Sequence, residues 1–450
     1  MNRIGFVCCG EVNTPFDRIE MKHDYAFQVL QQLDCEIIDA GIVVDDPEYK
    51  TVDKAISLLS GEEISSLIVC LAGWIPSHAV IRVTDVYRHL PMVLWGLCGW
   101  VENGKMITTA EQAGTTALRI TFEEMNYQFK YIYSVINQDE PIEKIRAFTT
   151  AASTAKELRM SRVGTMGYRD MLLYGTQFEG NSLRGKLGVE VEPFEMLEMV
   201  QNLEGLDEKE IKKGVQYIRD HWKFQQNCDD AVLETGVKYA LAIGKKIKER
   251  KYGAVSLIDV DGMKKLLEFP PAMVFVLLEH YYGVLTIPEN DILGSVTQLI
   301  LKYISGQNVA YMEFYEFFPK SMLIGVPDYV PESVTDGEVT VLPTAFGLMA
   351  KSIVVVSKVK TGYVTCARLI YKKGKYYLHA FTADAKTPMP WEEFGWAPPA
   401  PQLPSLEIFP DSCTVEEFAQ KVASQHIIFA YGDHMESLRD FCRLTDIEMI

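Results

Sequence analysis

At 450 residues the chain is too long for one compact hydrophobic core, so we expect two to four domains. Hydrophobic residues make up 48% of the sequence and charged residues 23%, which is typical of an ordinary soluble globular protein. The net charge of −17 argues against nucleic acid or an anionic membrane as the main partner, and no apolar run approaches the roughly 20 residues that cross a bilayer.

The amino terminus and the cysteines indicate the compartment. Residues 1–10 contain too short an apolar run for a signal peptide and are predicted to form a first buried strand and its turn. The nine cysteines are odd in number and show no C-x-x-C spacing, which argues against both a disulfide framework and a zinc knuckle. We therefore expect a cytoplasmic protein with reduced thiols.

Strand-like and helix-like runs alternate from the start of the chain. This alternation predicts βαβ units, in which helices join parallel strands, and ligands bind such sheets beyond the carboxyl ends of the strands. A helix over residues 142–158 closes this first α/β domain, which we place at residues 1–158. The earlier runs cover residues 3–8, 16–33, 36–40, 52–59, 65–71 and 91–95.

A second α/β domain is predicted at residues 159–307. Its strands fall at 160–165, 188–194, 254–259 and 284–287, and its helices include 208–222 and 229–248. The turn at 164–170 carries glycines, yet the chain contains no G-x-G, so we expect neither a dinucleotide fingerprint nor a P-loop, and no nucleotide cofactor. Arg169 in this turn is a candidate for contacting a substrate, with a surface ion pair as the alternative.

The remainder, residues 308–450, reads as a β-rich domain. Short strand-like runs are separated by turns such as Lys373-Gly374, a pattern typical of antiparallel hairpins. The predicted fold is two consecutive Rossmann-like parallel α/β domains followed by a β-rich, antiparallel barrel-like C-terminal domain. A proline-rich segment at 388–410 contains Trp391 and is interpreted either as a surface connector or as a lid over a ligand. The strand-like runs cover residues 338–342, 353–359, 363–371 and 375–382.

The most informative stretch is residues 284–317. A short apolar strand ends at Pro288, Glu289 follows, and Asn290 and Asp291 are good N-cap residues for a helix of about four turns. The next strand carries Glu313, so we expect both glutamates at the same end of two neighbouring strands joined by one helix. Two carboxylates there could bind a divalent metal or share a proton, although glutamates at strand ends are also commonly just solvated.

The last segment places His426 one residue before an apolar strand over residues 427–430. A single histidine at such a position is more often a hydrogen-bonded structural residue than a ligand. Its interpretation as a ligand therefore depends on its neighbours in the fold.

Together these segments resemble the L-fucose isomerase family. The resemblance lies in Glu289-Asn290-Asp291 opening a helix, in Glu313 at the following interval, and in the terminal segment Ser424 to Gly432 around His426. Two tryptophan positions, Trp74 and the Trp95-Gly96 pair, also match the family. The chain departs from it in two respects, since the second acid is typically aspartate there and glutamate here, and since this chain is shorter.

The resemblance implies a metal-dependent aldose–ketose isomerase acting on a free pentose or 6-deoxyhexose through an enediol. It implies Mn²⁺, with Mg²⁺ or Co²⁺ as substitutes, bound by Glu289, Glu313 and His426, and it implies that the two glutamates also move protons. Candidates for contacting the substrate are Trp74, Gln425, Arg169 and Trp391.

The expected partners are a small-molecule sugar and further copies of the chain, in a trimer or hexamer, with no nucleic acid and no membrane. In the family the residue matching Trp74 reaches the sugar site of a neighbouring subunit. Two other interpretations stay open: a catalytically silent relative that binds a sugar, and an epimerase that uses the same site.

Overall fold

The computed structural model describes residues 2–138, 141–327, 329–343, 352–388 and 403–450. The chain divides into two compact units, unit 1 with Met1–Lys156 and Glu436–Leu444, and unit 2 with Glu157–Met435 and Thr445–Ile450. The strands are β1 (Arg3–Cys9), β2 (Glu36–Val43), β3 (Ser66–Leu71), β4 (Met92–Cys98), β5 (Trp100–Glu102), β6 (Lys105–Ile107), β7 (Phe129–Val135), β8 (Arg162–Met166), β9 (Glu190–Phe194), β10 (Lys223–Phe224), β11 (Ala254–Leu257), β12 (Leu285–Ile287), β13 (Ala310–Phe317), β14 (Met322–Gly325), β15 (Thr340–Leu342), β16 (Val354–Val355), β17 (Gly362–Lys372), β18 (Lys375–Lys386), β19 (Ser405–Pro410), β20 (His426–Tyr431) and β21 (Glu448–Met449). The helices are α1 (Phe16–Leu30), α2 (Lys50–Leu59), α3 (Ser77–Val86), α4 (Glu111–Glu124), α5 (Ile142–Met160), α6 (Gly180–Leu187), α7 (Met196–Gln201), α8 (Glu208–His221), α9 (Asp230–Arg250), α10 (Ala272–Tyr282), α11 (Ile292–Ser305), α12 (Val415–Ala419) and α13 (Met435–Thr445).

Unit 1 is built on a parallel sheet with the strand order β2-β1-β3-β4-β7. Successive residues of β3 are all buried, so helices and loops cover both faces of the sheet, as the apolar strand sequence SLIVCL requires. Taken in chain order the strands lie 2-1-3-4-5, an arrangement found in doubly wound α/β sheets. The alternating pattern of the sequence is confirmed here as a parallel sheet.

A buried ion pair lies near the end of β4 in unit 1. The Lys22 ammonium donates to the carbonyl of Leu97 at 2.6 Å, to Thr109 Oγ1 at 2.8 Å and to Glu111 Oε2 at 3.2 Å. These three acceptors use all three N–H bonds of the lysine, which is fully buried. Lys22 therefore ties α1 to the loop that precedes α4, through Thr109, and to the first residue of α4, Glu111.

Unit 2 contains a second parallel sheet, with the order β12-β11-β8-β9. When the four strands are numbered in chain order and the sheet is read from β9 to β12, the order is 2-1-3-4. The first four strands of the unit 1 sheet have the same order. Both β11 and β12 are buried along their whole length. Since α11 follows β12 directly, the polar residues between them lie at the carboxyl end of this sheet.

The rest of unit 2 is a closed antiparallel barrel of six strands, in the order β17-β20-β13-β14-β19-β18, with β18 pairing back to β17. Closure removes the free sheet edges that an open antiparallel sheet would expose. The last strand, β21, adds parallel to β18. The predicted β-rich, barrel-like C-terminal region is confirmed.

One expectation about this region is wrong, and two predicted strands are shorter than expected. The proline-rich segment was expected to be a connector or lid up to residue 410, but Ser405–Pro410 forms barrel strand β19, paired with β14 and β18. The runs at 338–342 and 353–359 form only the short strands β15 and β16, which join β10 in a separate small sheet. These two strands are therefore not part of the barrel. The sequence of a strand does not by itself reveal which strand it pairs with.

Among the described residues, no helix combines the length and the apolar character needed to cross a membrane.

The hairpin between β17 and β18 offers a test of the fold. Lys372 pairs with Lys375, and the two turn residues Lys373 and Gly374 have φ of 51° and 81°, as a two-residue type I′ turn requires. We expect Gly374→Ala to lower the free energy of unfolding by about 1 kcal/mol, because an L-residue is strained in this region.

The matched control is Gly185→Ala in α6. A methyl group meets open space at both glycines, but Gly185 is not among the residues with positive φ. Alanine in a helix should raise stability by roughly 0.5–1 kcal/mol. Urea unfolding midpoints should therefore shift in opposite directions, and a shift in the same direction would refute the assigned turn.

Candidate metal centre

Glu289 is positioned by an unusual bend after β12. Glu289 and Asn290 both have left-handed φ, 64° and 53°, which costs free energy for residues other than glycine. Hydrogen bonds hold the bend: the Glu289 N–H donates to Asp259 Oδ1 at 2.7 Å, and the Asn290 amide donates to Thr165 Oγ1 at 2.9 Å. The bend is therefore fixed by the carboxyl ends of the neighbouring strands β11 and β8.

Glu313 and His426 come from adjacent barrel strands. They are direct register partners in the antiparallel pairing of β13 with β20, so their side chains leave the sheet on the same face. The expectation that Glu289 and Glu313 lie on neighbouring strands is wrong, because β12 belongs to the parallel sheet and β13 to the barrel. Their predicted placement in different domains, 159–307 and 308–450, agrees with these two sheets. The two acids meet where the two sheets of unit 2 adjoin.

The three side chains converge on one point. His426 Nε2 lies 3.4 Å from Glu289 Oε2 and 3.8 Å from Glu313 Oε1, and one ligand atom from each residue lies within 4.8 Å of the others. Two ligands about 2.1 Å from a small cation at right angles are about 3.0 Å apart, and opposite ligands about 4.2 Å. The observed separations therefore suit a single cation after small side-chain shifts.

The donor set also fits a cation. His426 is fully buried, and its Nε2 has no hydrogen-bond partner among the residues that the structure describes. Two carboxylate oxygens face this atom at 3.4 and 3.8 Å without hydrogen-bonding to it, an arrangement that a ligand shared by all three side chains would satisfy. One imidazole and two carboxylates are suited to a divalent transition metal such as Mn²⁺ and leave coordination positions for other oxygens.

The other ring nitrogen of His426 is held by a buried carboxylate. Nδ1 lies 2.7 Å from Asp291 Oδ2, and Arg368 forms an ion pair with the same oxygen at 2.6 Å. Burial would lower the pKa of His426, but the hydrogen bond to Asp291 and the nearby carboxylates of Glu313 and Glu289 raise it to about 10. A cation at this position would therefore displace a proton from Nε2.

A cavity of about 210 Å³ opens beside the two glutamates. Gln425, expected to contact substrate, donates to Glu289 Oε2 at 2.6 Å and so orients that carboxylate. The polar lining includes Asp259 and Lys264 besides the glutamates, and the other lining residues are apolar. The apolar lining residues are Met171, Val260, Pro270, Pro271, Ala272, Pro288, Pro327, Ile353 and Val354.

Three further predicted substrate contacts stay predictions. Arg169 packs over the ring of Tyr174 at 5.1 Å and is not among the cavity-lining residues. Trp74 is 38% exposed and follows β3 in unit 1, where its backbone N–H donates to the carbonyl of Thr109. Trp391 falls outside the described residues.

Two residues of the site, Asp259 and Arg368, were not predicted from the sequence. Asp259 follows β11 at its carboxyl end and could have been found by the same rule that singled out Glu289. Arg368 stands in the otherwise apolar run YVTCARLIY, where a buried charge signals a buried partner. The identity of that partner, Asp291, depends on packing between a helix and the barrel, which the sequence does not reveal.

No protein-family model and no curated protein matches this chain significantly. Solved structures to which it is similar include an ABC transporter periplasmic solute-binding protein from Actinobacillus succinogenes 130z with bound D-allose, at 11% identity and a TM-score of 0.18, covering 68% of this chain and 92% of that one. Two solute-binding proteins from Agrobacterium vitis are also similar. One, with α-D-tagatopyranose, has 15% identity, a TM-score of 0.17 and coverage of 64% and 93%. The other, with D-fucose, has 12% identity, a TM-score of 0.17 and coverage of 68% and 90%. With TM-scores this low, these likenesses carry no argument about fold or function.

The site predicts stoichiometric metal binding that depends on one histidine. We expect isothermal titration to show one Mn²⁺ per chain, and His426→Asn to weaken binding at least 100-fold, because the metal loses its nitrogen ligand. His379→Asn is the matched control, since His379 is a buried histidine of barrel strand β18 that stacks on Phe418. Equal loss of Mn²⁺ in both variants would show that the effect is structural.

Proposed function

We propose that this protein is a metal-dependent aldose–ketose isomerase acting on a free pentose or 6-deoxyhexose. The observation that carries the proposal is the convergence of Glu289, Glu313 and His426 beside a cavity of about 210 Å³. This cavity is smaller than the roughly 300–1,000 Å³ typical of drug-sized ligands, which favours a substrate the size of a monosaccharide. The resemblance to L-fucose isomerases supports the same reaction.

Glu289, Glu313 and His426 would hold the cation, for which Mn²⁺ is the best match. When bound, it would supply Lewis-acid stabilisation of the negative charge that develops on the two substrate oxygens. The carbon–hydrogen bond of a sugar is a weak acid, so this stabilisation is essential to the reaction. The buried position of His426 keeps water away from that side of the site.

The chain's own carboxylates would move the protons. One glutamate removes the proton from C2 of the aldose, which gives an enediol, and returns it to C1 of the ketose. The other carries a proton from the oxygen on C2 to the oxygen on C1, so that no hydrogen is gained or lost overall. Gln425 would hold the Glu289 carboxylate in place through its 2.6 Å hydrogen bond.

The proposal predicts metal-dependent conversion of an aldose to a ketose. We expect the Mn²⁺-loaded protein to form ketose from at least one member of a panel of pentoses and 6-deoxyhexoses. Chelation should abolish the activity and added Mn²⁺ should restore it. An unchanged rate after chelation would contradict the metal mechanism.

Substitution of Glu313 tests its role as a proton carrier. Glu313→Gln should lower kcat by about 10²–10⁴, since an amide cannot accept the proton. The matched control is Glu316→Gln on the same strand, because Glu316 is exposed and is not a cavity-lining residue.

Two results with the wild-type protein would favour the alternative functions. Sugar binding without turnover would favour a catalytically silent sugar-binding protein, and deuterium exchange at C2 without ketose formation would favour an epimerase.

A further inference from the structure

His426 is held from the side opposite to the two glutamates. Its Nδ1 lies 2.7 Å from Asp291 Oδ2, and both side chains are fully buried. An ionised carboxylate only accepts hydrogen bonds, so Nδ1 must be the donor. The ring therefore presents Nε2 to Glu289 and Glu313.

The Asp291 carboxylate is itself fixed by several donors. Arg368 donates one terminal nitrogen to Oδ2 at 2.6 Å and the other to Oδ1 at 2.9 Å, and the Gly294 N–H donates to Oδ1 at 2.9 Å. With His426 on Oδ2, each oxygen accepts two hydrogen bonds, which fills the capacity of a carboxylate. Asp291 can neither rotate nor accept a proton without losing one of them.

Glycine at position 294 of helix α11 leaves room for the ion pair between Asp291 and Arg368. A Cβ at Gly294 would lie 2.5 Å from Ile287 Cδ1, 2.6 Å from Asp291 Oδ2 and 2.8 Å from an Arg368 nitrogen. Glycine inside a helix costs about 1 kcal/mol relative to alanine, and buried ion pairs add little net stability. Stability alone is therefore a poor explanation for this arrangement, whereas the orientation of His426 follows from it directly.

We propose that Asp291, clamped by Arg368, is a positioning residue that holds His426 with a proton on Nδ1 and the Nε2 lone pair directed at the cation site. The inference rests on the metal site of the proposed function and adds residues that set its affinity. Carboxylates that accept from the second nitrogen of a metal-binding histidine generally fix its tautomer and orientation.

The variant Asp291→Asn tests this role. If the amide oxygen takes the Oδ1 position, where it keeps the bonds from the Gly294 N–H and one Arg368 nitrogen, the amide N–H₂ faces Nδ1 and donates to it. The ring proton must then move to Nε2, the atom needed for the metal. We expect the Mn²⁺ dissociation constant to rise about 10- to 100-fold. Arg368→Lys, which keeps the charge but loses the two-pronged contact, should give a smaller rise.

The control for loss of a buried charge is Glu111→Gln in unit 1. Glu111 is a buried carboxylate paired with a buried cation, Lys22, at 3.2 Å, and it belongs to unit 1, whereas the triad belongs to unit 2. We expect this variant to lower the thermal midpoint and leave Mn²⁺ affinity unchanged. An equal loss of affinity in both variants would overturn the positioning role.

A measurement on the wild-type protein avoids the risk that Asp291→Asn fails to fold. The protein is labelled with ¹⁵N at its histidines and loaded with diamagnetic Mg²⁺. The His426 ring signal is assigned as the one missing from the spectrum of His426→Asn. We expect this signal to show the proton on Nδ1. A proton on Nε2 in the loaded protein would overturn the inference.

The outcomes separate the two proposals. If the wild-type protein binds no divalent cation, the metal site fails and the positioning role fails with it. If the wild type binds Mn²⁺ and Asp291→Asn binds it equally well, only the positioning role is wrong.

Discussion

The register of β13 against β20 is the constraint on which the site depends. It sets Glu313 directly opposite His426, and a slip of one residue would turn one of the two side chains to the other face of the barrel. The barrel closes through pairing of β17 with β18, so this register is fixed by the whole ring of strands rather than by one hairpin. Glu289 then needs only to be brought in from the adjoining parallel sheet.

Hydrogen bonds of the Asp291 side chain connect helix α11, which follows the parallel sheet of unit 2, to the barrel. This residue caps α11 by accepting from the Gly294 N–H, and the same carboxylate receives Arg368 from β17 and His426 from β20. Burial would raise the pKa of Asp291, but Arg368 and His426 hold it well below its usual range. One side chain thus ends a loop, starts a helix and orients the candidate metal ligand.

Much of this region could be predicted from local sequence, and the rest depends on long-range packing. The helix after Glu289 was predicted with Asn290 and Asp291 as N-cap candidates, and Asp291 is the N-cap. The helix ends at Gly306, whose φ of 67° suits glycine. The hairpin at Lys373-Gly374 follows from turn chemistry in the same way. Partners far apart in sequence leave no local signal, so the Asp291–Arg368 pair and strand β19 were not predicted. The predicted domain boundary at residue 307, in contrast, already places Glu289 and Glu313 in different domains.

The most direct test of the account is a crystal structure of the full chain soaked with Mn²⁺, with data collected on both sides of the manganese absorption edge. The account predicts one strong anomalous peak per chain, about 2.0–2.3 Å from a carboxylate oxygen of Glu289, a carboxylate oxygen of Glu313 and Nε2 of His426. A peak bound elsewhere, or no peak between these three side chains at saturating Mn²⁺, would contradict it.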